Sequence, residues 1–183
     1  LLPLTRPGET MLQEAVNRIT PLIKAEDVYI STTRSLAPAI RKSHPGVPPK
    51  NVLAEPCKRN TSGCLCWVAA ELIARYGDAA AVTMAVLTAD HQIGQPARFR
   101  REMGKALAGA AANDHLVTIG IRPTRPETGY GYIEAGERLR RPALNRVDRF
   151  REKPNRDLAE EFVDSGHHFW NSEEFCGVMT RIF

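Results

Sequence analysis

Residues 79 to 88 are almost entirely apolar, and the run empties directly into Ala89, Asp90 and His91. A continuous apolar segment of that length, closed by a polar turn, is the pattern of a strand covered on both faces, as parallel sheets packed between helices require. The surrounding segments alternate in kind. Met11, Leu12, Ala15, Val16, Ile19, Leu22 and Ile23 recur at helical spacing, and residues 28 to 32 read as a short strand. Ser35 can cap a brief helix toward Lys42, whereas residues 44 to 50, with three prolines, must be loop. Residues 51 to 54 read as a further strand. Thr61 or Ser62 can cap a helix through Trp67, Ala70, Leu72, Ile73 and Tyr76 that Gly77 ends, and Pro96 opens a helix carrying Phe99, Met103, Leu107 and Ala111. The alternation predicts an α/β fold, a Rossmann-like and mostly parallel sheet flanked by helices. Ligands of such folds collect outside the carboxyl ends of the strands.

A chain of 183 residues suits one domain and is long enough to bury about two-thirds of its unfolded surface. Hydrophobic content of 43% with 25% charged residues is ordinary for a soluble protein, and no apolar run approaches the roughly 20 residues that span a bilayer, so no membrane partner is expected. The net charge of +4, from 25 basic and 21 acidic side chains, favours anionic ligands such as nucleotides and sugar phosphates. Nucleic acid is not expected as a partner, because the clusters at Arg98, Arg100, Arg101 and at Arg138, Arg140, Arg141 lack interleaved aromatics and read as solvated faces. Cys57, Cys64, Cys66 and Cys176 do not have the spacing of structural zinc, and Cys64 and Cys66 fall in a helix-like run where small thiols serve as packing. With no signal peptide and no disulfide framework, the reading is cytoplasmic.

The segment with most polar chemistry follows an alternating strand pattern at Val117, Ile119 and Ile121. Pro123 and Pro126 then prevent a helix, and Gly129 and Gly131 flank Tyr130, letting backbone amides approach a small polar molecule while Glu127 and Thr128 offer an acceptor and a hydroxyl. Taken alone, Gly-Tyr-Gly reads first as the rim of a hairpin whose glycines serve turns. Beyond it the pattern turns to shorter extended pieces at 130 to 134 and 146 to 150. A helix from about 157 to 164, with Asn155 as its cap, follows.

The whole 119 to 133 loop resembles the sugar-binding segment of mannose-1-phosphate guanylyltransferases, in the nucleotidyltransferase group that makes activated sugars. Four further segments match that family in the same order: Leu53-Ala54-Glu55-Pro56 with Arg59-Asn60-Thr61, Leu87-Thr88-Ala89-Asp90-His91, Phe150-Arg151-Glu152-Lys153-Pro154, and Trp170-Asn171-Ser172. The resemblance implies that Asp90 holds Mg2+ and that Glu55, Arg59, Asn60, Thr61 and Asp90 bind the nucleotide. It also implies that Glu127, Thr128, Gly129, Tyr130, Gly131, Glu152, Lys153 and Asn171 bind the sugar phosphate, and that Asp90 and Lys153 are catalytic. The residues suit these roles: a carboxylate at a strand end can hold magnesium, a carboxylate can accept from guanine N1 and N2, and a lysine can meet phosphate. Outside the motifs, the same residues also fit a turn aspartate, a solvated loop with a helix cap, a surface charge pair and a polar turn.

The implied reaction is transfer of GMP from GTP to mannose 1-phosphate, giving GDP-mannose and pyrophosphate without a covalent enzyme intermediate. Residues 1 to 183 are expected to be one catalytic domain, with about 1 to 118 for the nucleotide and about 119 to 183 for the sugar. Relatives begin with a strand, a glycine-rich loop containing arginine, and a Pro-Lys-Gln segment, whereas this sequence opens at Leu1-Leu2-Pro3-Leu4. The domain is therefore expected to be partial at its N-terminus, with a second metal-binding aspartate and any oligomerisation domain also outside it. The family's pattern is also interrupted after Ser172, where Glu173 and Glu174 stand in place of a glycine and a hydrophobic residue. Two other readings stay open: a non-catalytic regulatory homologue that binds sugar nucleotides, and a nucleotidyltransferase for another hexose 1-phosphate. Homo-oligomeric assembly is likewise left open.

Overall fold

The computed structural model describes residues 3–4, 6–57, 60–78, 82–113, 115–139 and 144–179. They fall into two compact units, one of Leu1–Val82, Thr88–Gly104 and Met179–Phe183, the other of Thr83–Leu87 and Lys105–Val178. The α/β class expected from the alternation is the class observed.

In the first unit, helix α1 (Met11–Ile19) opens on a capping box. Thr10 Oγ1 accepts the Gln13 amide at 3.2 Å, and Gln13 Oε1 accepts the Thr10 amide at 2.9 Å, so two amides that the first turn leaves unpaired are satisfied. Strand β1 (Ile30–Thr33) pairs in parallel with β2 (Val52–Glu55), Ile30 opposite Val52 and Thr33 opposite Glu55. Helices α2 (Ala37–Lys42) and α3 (Asn60–Tyr76) both pack against β2. Strand side chains alternate between faces, so Ile30, Val52 and Ala54 share one face, where they join Leu12, Val16, Ala37, Ile40 and Val47 in a core. Ser31, Leu53 and Glu55 occupy the other face. The buried Asn51 keeps its amide fully used: its Nδ2 donates to the Glu26 and Val28 carbonyls at 2.7 and 3.0 Å, and its Oδ1 accepts from Arg75 at 3.1 Å.

Two helix starts differ from expectation. Helix α2 has Leu36 as its cap with no side-chain bond, because the Ser35 hydroxyl is 3.0 Å from Thr33 Oγ1 instead. Helix α3 begins at Asn60, ahead of Thr61 and Ser62, with Asn60 at φ 54, a left-handed conformation that asparagine tolerates better than most residues. Cys66, read as a packing thiol, is exposed, while Cys64 is half-buried.

The second unit is built on a five-stranded sheet of β3 (Thr83–Val86), β4 (Val117–Ile121), β5 (Tyr132–Arg138), β6 (Asn145–Arg151) and β7 (His168–Val178), in the order β3-β7-β5-β6 with β4 also on β7. Strands β3, β4 and β5 each pair antiparallel to β7, and so run in the same sense as one another. The immediate neighbour of the apolar β3 is therefore the opposed strand β7. Opposite β4, three residues of β7, Ser172 to Glu174, stand against Ile119 alone, and the extra length is taken up as a bulge with Glu173 at φ 60. The polar stretch after Asn171 is thus interior to a continuous strand. Gly120 is required by packing: a Cβ there would lie 2.8 Å from Phe169 Cβ. Helix α4 (Pro96–Asn113) contributes Met103 to the first unit and Ala106 and Ala110 to the second, all buried.

Helix α5 (Arg156–Ser165) starts where Asn155 Oδ1 accepts the Leu158 amide at 3.0 Å and ends at Gly166, φ 67. Its Ala159 and Phe162 bury Tyr132 together with Trp170. Among the described residues, no helix is long and apolar enough to cross a membrane.

His168 lies flat on the Phe162 ring, 4.0 Å between centroids and 13° between planes, with Nδ1 2.8 Å from Ser165 Oγ. Burial holds its pKa below the usual value, against the opposing pull of Glu134. The unfolded chain therefore takes up this proton first as pH falls from about 6.5, and stability present above that pH is lost as pH drops through the folded value. The variant His168→Phe, which keeps the stack and removes the titration, is expected to flatten the acid side of a Tm-against-pH profile.

Candidate functional site

The residues that the resemblance assigns to the sugar lie in the second unit, on the loop between β4 and β5, just after β6 and within β7. The loop has no repeating structure, and its shape comes from one buried hydroxyl. Tyr132, fully buried, accepts the Glu127 amide at 3.0 Å through Oη and donates to the Glu127 carbonyl at 2.8 Å. Phe162 packs on its ring at 5.2 Å. Glu127 in turn closes the loop with its own side chain: Oε1 accepts the Gly129 amide at 3.1 Å, and Oε2 accepts from Arg125 Nε and Nη2 at 3.2 and 3.1 Å. The Gly129 amide first, then the Arg125 guanidinium, holds the Glu127 carboxyl below the usual carboxylate range. Glu127 therefore shapes the loop as well as offering it an acceptor.

Three motif residues from β7 and from the segments flanking β5 and β6 meet here. Gly131, just before β5, accepts the Asn171 amide of β7 at 2.8 Å. A Cβ on Gly131 would stand 3.6 Å from the Arg151 carbonyl, 3.8 Å from Asn171 Cβ and 4.0 Å from Glu152 Oε2. Gly129 and Gly131 both have ordinary backbone angles, so their use here is openness rather than a left-handed turn. Tyr130 is half exposed and meets Trp170 edge to face at 5.4 Å, while Arg125 lies over the Trp170 ring at 5.6 Å. Thr128, Glu152 and Lys153 are exposed, and Asn171 Oδ1 accepts the Glu173 amide at 3.1 Å.

The nucleotide-directed residues lie in the first unit. Glu55 ends β2, where its Oε1 accepts from Ser31 Oγ at 3.1 Å. Asn60 and Thr61 are exposed at the start of α3, and Arg59 lies outside the described residues. Asp90 is exposed on the turn that follows β3. That turn is tied to α1, because buried Arg18 donates to the His91 carbonyl at 2.9 Å, and Arg18 itself lies over Phe99 of α4 at 5.3 Å. No group of three or more His, Cys, Asp or Glu positioned for a metal occurs among the described residues. One exposed carboxylate is nevertheless what magnesium takes when phosphate oxygens and water complete its shell. The Thr88 hydroxyl on the same segment is buried without a hydrogen-bond partner, leaving a further oxygen unsatisfied there.

Sequence reasoning missed the residues that hold these groups: Tyr132, Ser31, Arg18 and Trp170. Tyr132 had a signal, since a tyrosine directly after Gly-Tyr-Gly at the start of a strand can only be buried if its hydroxyl finds a partner. Ser31 and Arg18 act across distant segments and carry none.

Residues 4–179 match the family model described as nucleotidyl transferase. The xanthan biosynthesis protein XanB of Xanthomonas campestris pv. campestris (strain B100) is 38% identical over 98% of this chain and 37% of its own length. A mannose-1-phosphate guanylyltransferase of Escherichia coli is 34% identical over 94% of this chain and 38% of its own. A crystal structure described as mannose-1-phosphate geranyltransferase from Thermus thermophilus superposes with a TM-score of 0.83 at 31% identity, covering 98% of this chain and 54% of that one. Mannose-6-phosphate isomerase from Helicobacter pylori superposes at 0.76 over 95% of this chain and 63% of that one; at 22% identity this is a likeness of fold alone. The chain thus spans less than two-fifths of the length of these curated relatives.

The Tyr132 hydroxyl sets a local expectation. Tyr132→Phe removes the partner of both the amide and the carbonyl of Glu127, a cost of about 1–3 kcal/mol, visible as a lower denaturant midpoint. Hydrogen exchange at the Gly129 amide is expected to speed up with it, and an unchanged exchange rate would show that the loop is held by other means.

Proposed function

The chain belongs to the nucleotidyl transferase family, and from that premise we propose that it serves transfer of GMP from GTP to mannose 1-phosphate, forming GDP-mannose and pyrophosphate. A phosphate oxygen of the sugar attacks the α-phosphorus, the bond from that phosphorus to the bridging oxygen breaks, and pyrophosphate leaves in line. The work asked of the protein is alignment of two anions and relief of their repulsion.

The observation that carries this reading is the meeting of Gly131, Glu152 and Asn171 beside an ordered polar loop. In it, Glu152 and Asn171 take sugar hydroxyls, and Thr128 with the amides of Gly129, Tyr130 and Gly131 supplies further polar contacts. Exposed Tyr130, braced on Trp170, offers a ring face to the hexose. Lys153 meets the sugar phosphate as a point charge. On the nucleotide side, Glu55 accepts from guanine, and Arg59, Asn60 and Thr61 are assigned to the same nucleotide. Asp90 holds magnesium, which when bound neutralises charge on the phosphates. The relatives named as mannose-1-phosphate guanylyltransferases support the choice of base and sugar.

Competition among the four nucleoside triphosphates and a set of hexose 1-phosphates, read by pyrophosphate release, is expected to select GTP and mannose 1-phosphate. Equal use of all four bases would overturn the guanine assignment. Asp90→Asn is expected to lower kcat/KM by more than about 100-fold, the scale of losing a metal ligand, with Tm unchanged because the side chain is exposed. Turnover at the parent rate would exclude the metal role.

A further inference from the structure

Glu55 sits at the end of β2 with a side chain of several free torsions, yet one oxygen of its carboxylate is engaged by a hydroxyl of the neighbouring strand. The register of the parallel pair sets this up. Ser31 stands opposite Leu53, so Ser31 and Glu55 lie on the same face one diagonal step apart. Ser31 Oγ donates to Glu55 Oε1 at 3.1 Å. Cys64, on the first turns of α3, donates from Sγ to Ser31 Oγ at 3.2 Å. The thiol is half-buried; burial pushes its pKa up against the opposing Ser31 contact, and the nearby Glu55 carboxylate raises it further, so it remains a protonated donor. The two bonds run in one direction: the thiol fills the acceptor side of the hydroxyl, and the hydroxyl's single proton is left to the carboxylate.

We infer that Ser31, aligned by Cys64, is the positioning residue that turns the Glu55 carboxylate toward the Watson–Crick edge of the base and so sets the preference for guanine over adenine. The inference rests on the proposed role of Glu55 and adds what makes that role selective. Guanine offers donors at N1 and N2 to a carboxylate, whereas adenine places an acceptor at N1, which a fixed carboxylate repels. A carboxylate free to rotate away loses that repulsion. Discrimination by hydrogen-bonding groups depends on their being held where the wrong ligand leaves them unpaired.

The test is calorimetric binding of GTP and of ATP to the full chain with magnesium, for the parent and for Glu55→Gln, Ser31→Ala, Ser31→Thr and Cys64→Ala. Ser31→Ala is expected to reduce the GTP-to-ATP affinity ratio about tenfold, the scale of one hydrogen bond to a charged group. Ser31→Thr, which keeps the hydroxyl on a strand position, is expected to restore most of it. Cys64→Ala should give a smaller loss that does not add to that of Ser31→Ala. If Ser31→Ala does not fold, Ser31→Cys, nearly the same size with a weak donor, gives the same readout. A ratio that collapses in Glu55→Gln but stays at the parent value in Ser31→Ala overturns the positioning role while leaving Glu55 at the base. Equal weakening of both nucleotides in Ser31→Ala makes Ser31 merely structural and overturns it as well. A ratio unmoved by Glu55→Gln removes Glu55 from the base, and the inference falls with it.

Discussion

Strand β7 is the constraint on which the second unit depends. One of its edges pairs with β5 at Trp170 and with β3 at Cys176, and the other pairs with β4 at both of those residues. Three strands of common direction are thereby held by a single opposed one, each through its own antiparallel ladder with β7. The bulge in β7 then does what a regular strand could not. It lets Ser172 Oγ donate to the Ile119 carbonyl at 2.7 Å, while Asn171, just before the bulge, meets Gly131 by continuing the regular register between β5 and β7.

Around that strand, order is maintained by a few buried polar contacts rather than by surface ion pairs. The Arg156–Glu160 pair on α5 is exposed and is worth a few tenths of a kcal/mol. The Tyr132 hydroxyl, by contrast, is buried and holds both backbone groups of Glu127, each of which would be costly to leave unpaired. The same logic operates in the first unit, where Asn51 joins two chain segments to α3 through Arg75, and Arg18 ties the Asp90 turn to α1. Thr128 and Asp90 sit on exposed segments, and the Tyr132 and Arg18 side chains that tie those segments down are buried.

Much of the fold was legible from pattern. The helices at α1, α3, α4 and α5, the strands β1 and β2 and the Asn155 cap follow from periodicity and local chemistry, because each depends on residues within one or two turns. The strand β7 was not legible as such. His168-Phe169-Trp170-Asn171-Ser172-Glu173-Glu174 has neither the alternation nor the apolar run of a strand, and its bulge puts successive residues out of phase. Among the candidate site residues, the structure brings Gly131, Glu152 and Asn171 into one neighbourhood, but the engagement of Glu127 by Gly129 and Arg125 could not be read from their order along the chain.

By itself the sequence determined the α/β class, the family and the set of polar motifs, since these reside in local periodicity and in short strings of residues. Only the tertiary structure decided which strand each motif borders, that β7 runs against its neighbours, and that Ser31 and Cys64 stand behind Glu55. The reason is physical. Local pattern reports which face of an element is apolar, whereas strand direction, register and a hydrogen bond between residues 24 or 33 positions apart are set by how those faces pack together.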